Sequence, residues 1–236
     1  YWRKIEKYAN FDQDKQNSLN AVTLFVRDFL TARTRSMTNL SEVYPRFKAF
    51  AKDWQGDIEG LLSVMTKFAH YLYQIENAET SSTPLNVHLR RFALLEVGVS
   101  HPFLMRLLDD FYEKKISVED VIRIICVVEN YVFRRFICGL SSNVLNRLFA
   151  TLYDTAIGLV NERHVSLVQA ISFLLVDKSE SWRFPNDDEF AQAFATKNVY
   201  KMNPKNKVYL FFRLNAGLGL SNEADTSVIT KMQDEG

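Results

Sequence analysis

Apolar side chains recur along this chain with the period of an α-helix almost from end to end. Leu19, Val22, Val26, Phe29 and Leu30 form one stripe and predict a helix over 18–33. After the break "TRSMTN", Ser41 reads as the N-cap of a second helix, with Pro45 near its first turn and Phe47, Phe50, Ala51 and Trp54 turned inward. Residues 57–76 carry the widest stripe of the first half: Ile58, Leu61, Leu62, Met65, Phe68, Ala69 and Leu72. The segment "NAETSSTP" at 77–84 is small, polar and closed by proline, which marks a linker.

The second half repeats the pattern. A helix is expected over 85–97, ending before Gly98. "SHPF" restarts the chain with Pro102 in a first turn, and Leu104, Leu107, Leu108 and Phe111 give the buried face. "SVED" at 117–120 has a hydroxyl followed three residues later by an acid, the signature of a helix start. It opens a long helix to Cys138, and Gly139 suits a left-handed end. "SSN" at 141–143 is expected to cap a helix to about residue 161. An apolar helix follows at 165–176. Asn186 and Asn203 read as caps of two more, with Glu189 and Pro204 in their first turns. Gly217 and Gly219 are expected to end the last one, with loop or a short strand after Ser221. The sum is an all-α chain: an irregular bundle of about nine to ten helices with little or no sheet. Two subdomains are expected, 1–80 and 81–236.

One stretch breaks the simple pattern. "ENYVFRRFICGLSSNVLNRLFATLYD", residues 129–154, sets a glutamate and two arginines in an apolar run. On a wheel of 100° per residue, Val118, Val121, Ile122, Ile125, Val128, Val132 and Phe136 share a face. Arg134 falls nearly opposite, beside Arg123 and Asn130, and is expected in solvent or against a partner. Arg135 lies at the margin. Glu129 points into the apolar face, where a bare carboxylate is costly. It is therefore expected to be neutral or to form a structural ion pair with Arg90, Arg91, Arg106 or Arg147 on a neighbouring helix.

Composition changes this picture little. The 236 residues are 47% apolar and 24% charged, with only 8 glycines and 5 prolines, which favours long helices. A net charge of +1 gives no global pull toward nucleic acid or acidic lipid. No run reaches the roughly 18 apolar residues of a membrane span, and no signal peptide is expected from these residues. The two cysteines, Cys126 and Cys138, lie about 18 Å apart on one expected helix and cannot bridge there. Unpaired thiols fit a cytoplasmic location. The chain opens on Tyr1 and stops without a closing element, so it is expected to be a segment of a longer protein.

Catalytic patterns are not found. His70, His88, His101 and His164 lack metal-ligand spacing, and no C-x-x-C pair occurs. His70 reads as a packing histidine, and His101 as part of a turn. "GLGL" at 217–220 reads as a helix end, not a phosphate loop. "GLSSN" is not a nucleophile elbow. The acid pairs Asp109–Asp110 and Asp187–Asp188 diverge on a helix, and solvated faces or helix-end charge explain them. No catalytic, cofactor-binding or metal-binding residue is assigned. The arginines Arg90, Arg91, Arg134, Arg135 and Arg147 are the candidates for contact with DNA or another domain.

Three stretches together carry a resemblance. "ENYVFRRFICGLSSNVLNRLFATLY" resembles the helical middle of GmrSD-type, modification-dependent restriction endonucleases. "FPNDDEFAQAFATKNVY" followed by "KVYLFFRLN" resembles the segment that precedes their nuclease motif. "LFVRDFLTARTRSMTNLSEVYPRFKAF" is similar, more weakly, to helices after their N-terminal domain. In that family a ParB-like domain comes first and an HNH nuclease domain last, and the proteins are associated with defence against phage DNA carrying modified bases. The resemblance implies that 1–80 follows a ParB-like domain and 81–236 precedes the HNH motif. Neither a D-G-Q-Q-R-like motif nor a His-centred HNH motif is present in this chain. The implied role is a non-catalytic scaffold that couples flanking domains of the same polypeptide in a DNA endonuclease. Nucleotide, in some members, and a divalent metal are then cofactors of the parent rather than of this chain. A helical protein–protein interaction module with no DNA role is the alternative.

Overall fold

A computed structural model describes residues 1–9, 18–177 and 180–217. Among the described residues all regular structure is helical, with eleven α-helices and four 3-10 turns. The helices are α1 (Trp2–Ala9), α2 (Ser18–Thr34), α3 (Val43–Lys52), α4 (Ile58–Asn77), α5 (Thr83–Ala93), α6 (His101–Tyr112), α7 (Val118–Ile137), α8 (Asn143–Arg163), α9 (Leu167–Val176), α10 (Asp187–Thr196) and α11 (Pro204–Gly217). The all-α expectation holds. The additional helix is α1, whose polar sequence buries only Ile5 and Ala9, too few positions to announce a stripe.

Several helix starts are built by the side chains the sequence singles out. Ser117 accepts from Asp120 N at 3.1 Å, Asn186 from Glu189 N at 2.8 Å and Asn203 from Asn206 N at 2.7 Å, and Asp57, not expected as a cap, accepts from Gly60 N at 2.7 Å. Gly139 ends α7 with φ of 68°, a conformation that costs a glycine nothing. Other boundaries differ. Ser41 lies inside a 3-10 turn, Leu40–Glu42, and α3 begins without a side-chain cap. Ser82 caps α5, so Thr83 and Pro84 belong to its first turn rather than to a linker. That helix stops at Ala93, short of the expected 97. Ser166 and Gln169 form a reciprocal capping box at α9. The expected terminator Gly219 and the tail beyond Ser221 lie outside the described residues, and Gly217 is the last residue of α11.

Helices α4, α6 and α7 form the centre. Helix α4 packs against α1, α2, α5 and α6. Helix α6 packs against α2, α7 and α8, and α7 against α5, α9 and α10. One apolar cluster, from Ile5 to Leu210, runs through all of these contacts and across the 77–84 segment. The expected division near residue 80 is thus not marked by a break in the core. The segment is itself tied down: Thr80 N donates to Asn86 Oδ1 at 2.7 Å, and Asn86 Nδ2 donates back to Thr80 O at 3.2 Å. No described helix is long and apolar enough to cross a membrane.

Candidate functional site

The packing of α5 against α7 brings two pairs of polar residues face to face. Helix α5 supplies His88 and Arg91, and α7 supplies Cys126 and Glu129, each pair three residues apart and so on one helical face. Arg91 Nη2 is the hub. It donates to Glu129 Oε2 at 2.6 Å and lies 3.0 Å from His88 Nδ1 and 3.5 Å from Cys126 Sγ. Cys126 Sγ is 3.4 Å from the same imidazole nitrogen. A guanidinium can only donate, so His88 Nδ1 accepts and the imidazole carries its proton on Nε2. Burial and the neighbouring Arg91 charge both hold the His88 pKa below its ordinary value.

Glu129 is 1% exposed, deep in a face that is otherwise apolar. Burial works against the Arg91 charge, but the hydrogen bond and charge of Glu129 outweigh it, and the Arg91 pKa is raised. The second carboxylate oxygen, Oε1, has no well-formed hydrogen bond; Arg213 Nη1 of α11 approaches it to 4.0 Å. Tyr209, one turn earlier on α11, lies against the carboxylate. Burial first, then the Glu129 charge, drives its phenol pKa far above the ordinary value and keeps it neutral. Arg91 Nε is likewise buried without an acceptor.

The second polar feature lies at the C-terminal end of α7. Arg135, which the helical wheel sets at the margin, is 2% exposed. The correction comes from the later chain: residues 182–187 cover that margin. Arg135 Nη1 donates to Arg183 O at 3.0 Å and Nη2 to Ser141 O at 2.9 Å. Its guanidinium also lies 5.3 Å from the Tyr131 ring centre. Burial lowers the Arg135 pKa, though an arginine remains charged. Arg134 meets a partner within the chain. It pairs with Asp187 at 2.5 Å, donates to Pro185 O at 3.1 Å and sits beside the rings of Phe184 and Phe190. Tyr131 Oη donates to Trp182 O at 2.8 Å. Lys197, just beyond α10, closes the dock by donating to Phe136 O and Ile137 O, where the helix dipole favours a cation.

Of the five arginines proposed as contact residues, Arg91, Arg134 and Arg135 are therefore engaged internally. Arg90 and Arg147 are exposed, and neither side chain has an ion-pair partner among the described residues. The acid pair Asp109–Asp110 is not solvated. Asp109 takes Lys67 at 2.6 Å and the Tyr71 hydroxyl at 3.2 Å, while Asp110 accepts from Tyr153 and pairs with Lys115. His101 begins α6 rather than a turn, 3.5 Å from the buried Asp28. Cavities of about 350 and 200 Å³ meet at Glu76, Gly98 and His101. His70 packs at a tilt against Tyr8, with ring centres 4.8 Å apart.

The His88–Cys126–Glu129 group went unnoticed in the sequence because its spacing signal is split. Each helix contributes one donor or two at i, i+3, and only the α5–α7 contact joins them. The donor atoms of these three residues lie within 4.8 Å of one another, the arrangement of a transition-metal ligand set. Comparison with protein-family models, curated proteins and solved structures finds no match to this chain.

Proposed function

We propose that this chain is a non-catalytic helical scaffold that couples the flanking domains of a modification-dependent DNA restriction endonuclease acting in phage defence. The observation that carries the scaffold role is the internal use of Arg91, Arg134 and Arg135. They fix α5, α10 and the 182–187 segment to α7, and so give the ends of the unit a defined relation. The two stretches that most resemble the restriction family, 129–152 and 184–214, pack on each other. Phe133 of the first meets Phe190 and Tyr209 of the second, with ring centres 6.1 and 4.7 Å apart. A junction of this kind suits the transfer of a domain movement.

The chain incubated with Mg²⁺ or Mn²⁺, nucleotide and hydroxymethylated DNA is expected to leave the DNA intact; robust cutting overturns the scaffold role. DNA contact, if made, falls to the exposed Arg90 and Arg147. A gel shift at low salt, weakened by moderate salt and by Arg90→Glu with Arg147→Glu, supports a DNA-facing scaffold. No shift at any salt favours the protein-interaction module. That alternative is supported by the exposed apolar side chains of Tyr44, Ile58 and Tyr200, which are 75%, 65% and 93% accessible.

A further inference from the structure

We propose that His88, Cys126 and Glu129 form a transition-metal site, of the zinc type, in which Arg91 is a displaceable resident cation. The donors are one imidazole nitrogen, one thiol and one carboxylate, the three ligand classes that zinc takes. Their separation fits. Zinc–sulfur and zinc–nitrogen bonds at a tetrahedral angle set the two donor atoms about 3.6 Å apart, and Cys126 Sγ and His88 Nδ1 stand at 3.4 Å. The whole set lies within 4.8 Å, so closing on an ion requires side-chain movement of about an ångström and no shift of the helices.

Two independent observations point to an ion. Glu129 is almost wholly buried, yet its Oε1 makes no well-formed hydrogen bond and has only Arg213 Nη1 near it, at 4.0 Å, so the carboxylate keeps unused acceptor capacity. And the centre of the triangle is already held by a cation: Arg91 Nη2 touches all three donors. The arrangement selects positive charge at that point whichever species provides it.

Charge decides how the exchange must run. With Arg91 in place, Glu129 and Arg91 balance. Adding a divalent ion to that set, while Cys126 gives its proton to solvent, leaves one surplus positive charge in a buried site with Arg213 nearby. With Arg91 swung outward, the ion, the Cys126 thiolate, the Glu129 carboxylate and the neutral His88 sum to zero. Arg91 can make that move: its side chain keeps 12% exposure, against 2% for Glu129. A water would complete four-coordination. Metal binding and the Arg91–Glu129 ion pair are thus mutually exclusive, and the ion would trade one α5–α7 tie for another.

Cobalt(II) titration of the whole chain tests this, because a thiolate ligand gives a near-ultraviolet charge-transfer band. One equivalent is expected to produce the band. Cys126→Ser and His88→Ala should each abolish it while far-ultraviolet circular dichroism stays helical, and zinc should displace the cobalt. Arg91→Met, which removes the competing cation, is expected to tighten binding at least tenfold. Absence of the band in the unaltered chain overturns the site, as does a band that survives Cys126→Ser, which would belong to Cys138. Equal or weaker binding by Arg91→Met overturns the exchange.

Discussion

Arg91 Nη2 and Glu129 Oε2 meet at 2.6 Å between α5 and α7, with the glutamate side chain 2% exposed. Removing one member of a buried pair strands the other charge. Arg91→Met and Glu129→Ala are each expected to destabilise the chain by about 3–5 kcal/mol, measured by urea unfolding. The double change to Met and Leu should cost less than either single change, because it strands nothing. Additive losses would mean that the two groups are not coupled.

Stability should fall as the solution is acidified below about pH 6.5. His88 has a folded pKa below the ordinary value of 6.5, from burial and then from Arg91, and His70 is lowered by burial. The unfolded chain therefore takes up the proton first. The contribution is fully present above about pH 6.5 and is lost as pH falls from there through the folded pKa. Replacing His88 with Asn should flatten the dependence of the unfolding midpoint on pH. An unchanged slope would show that His88 is as readily protonated in the fold as outside it.

Arg135 binds two peptide carbonyls from a buried position. Arg135→Met keeps the stem but leaves Arg183 O and Ser141 O without that donor. The expected loss is on the order of 2–4 kcal/mol. Amide hydrogen exchange should rise locally at 182–190 before it rises in α4. Uniform exchange throughout would indicate that this dock and the core open together.

Gly139 allows a clean measurement of backbone strain. Its φ is 68°, and a Cβ placed there meets nothing within 4 Å. Gly139→Ala should cost about 1–2 kcal/mol through conformation alone. A neutral effect would mean that the turn adopts another geometry at little cost.

Helix existence was readable because each long helix carries its own stripe, and several carry their own cap, both local signals; α8 has the stripe, but Ser142 makes no capping hydrogen bond at its start. Ser117, Asn186 and Asn203 do as their sequence positions suggest. Glu129 was readable as an anomaly from one helical wheel, and Arg91 lay within the set of expected partners. Its neighbours His88 and Cys126 were not legible, since no single helix holds the cluster. Arg135 shows the same limit from the other side. A wheel treats the margin of a helix as open, and only the return of residues 182–187 closes it. That geometry also alters how the arginine pair can be used experimentally: reversing Arg134 and Arg135 to glutamate would undo an internal dock, so Arg90 and Arg147 are the better probes of any outside contact. Asp109 and Asp110 were readable as diverging, but not as reaching two different tyrosines.

Tyr131, Arg134 and Arg135 grip Trp182, Pro185 and Arg183 by their peptide oxygens. Every amino acid offers such an oxygen. The polar half of this latch is consequently blind to which side chains stand at those three positions and demands only the path of the strip beneath them. Mutational tolerance there should track whether a replacement lets the peptide follow its course, while the hands that hold it, all on one helix, have little freedom to change.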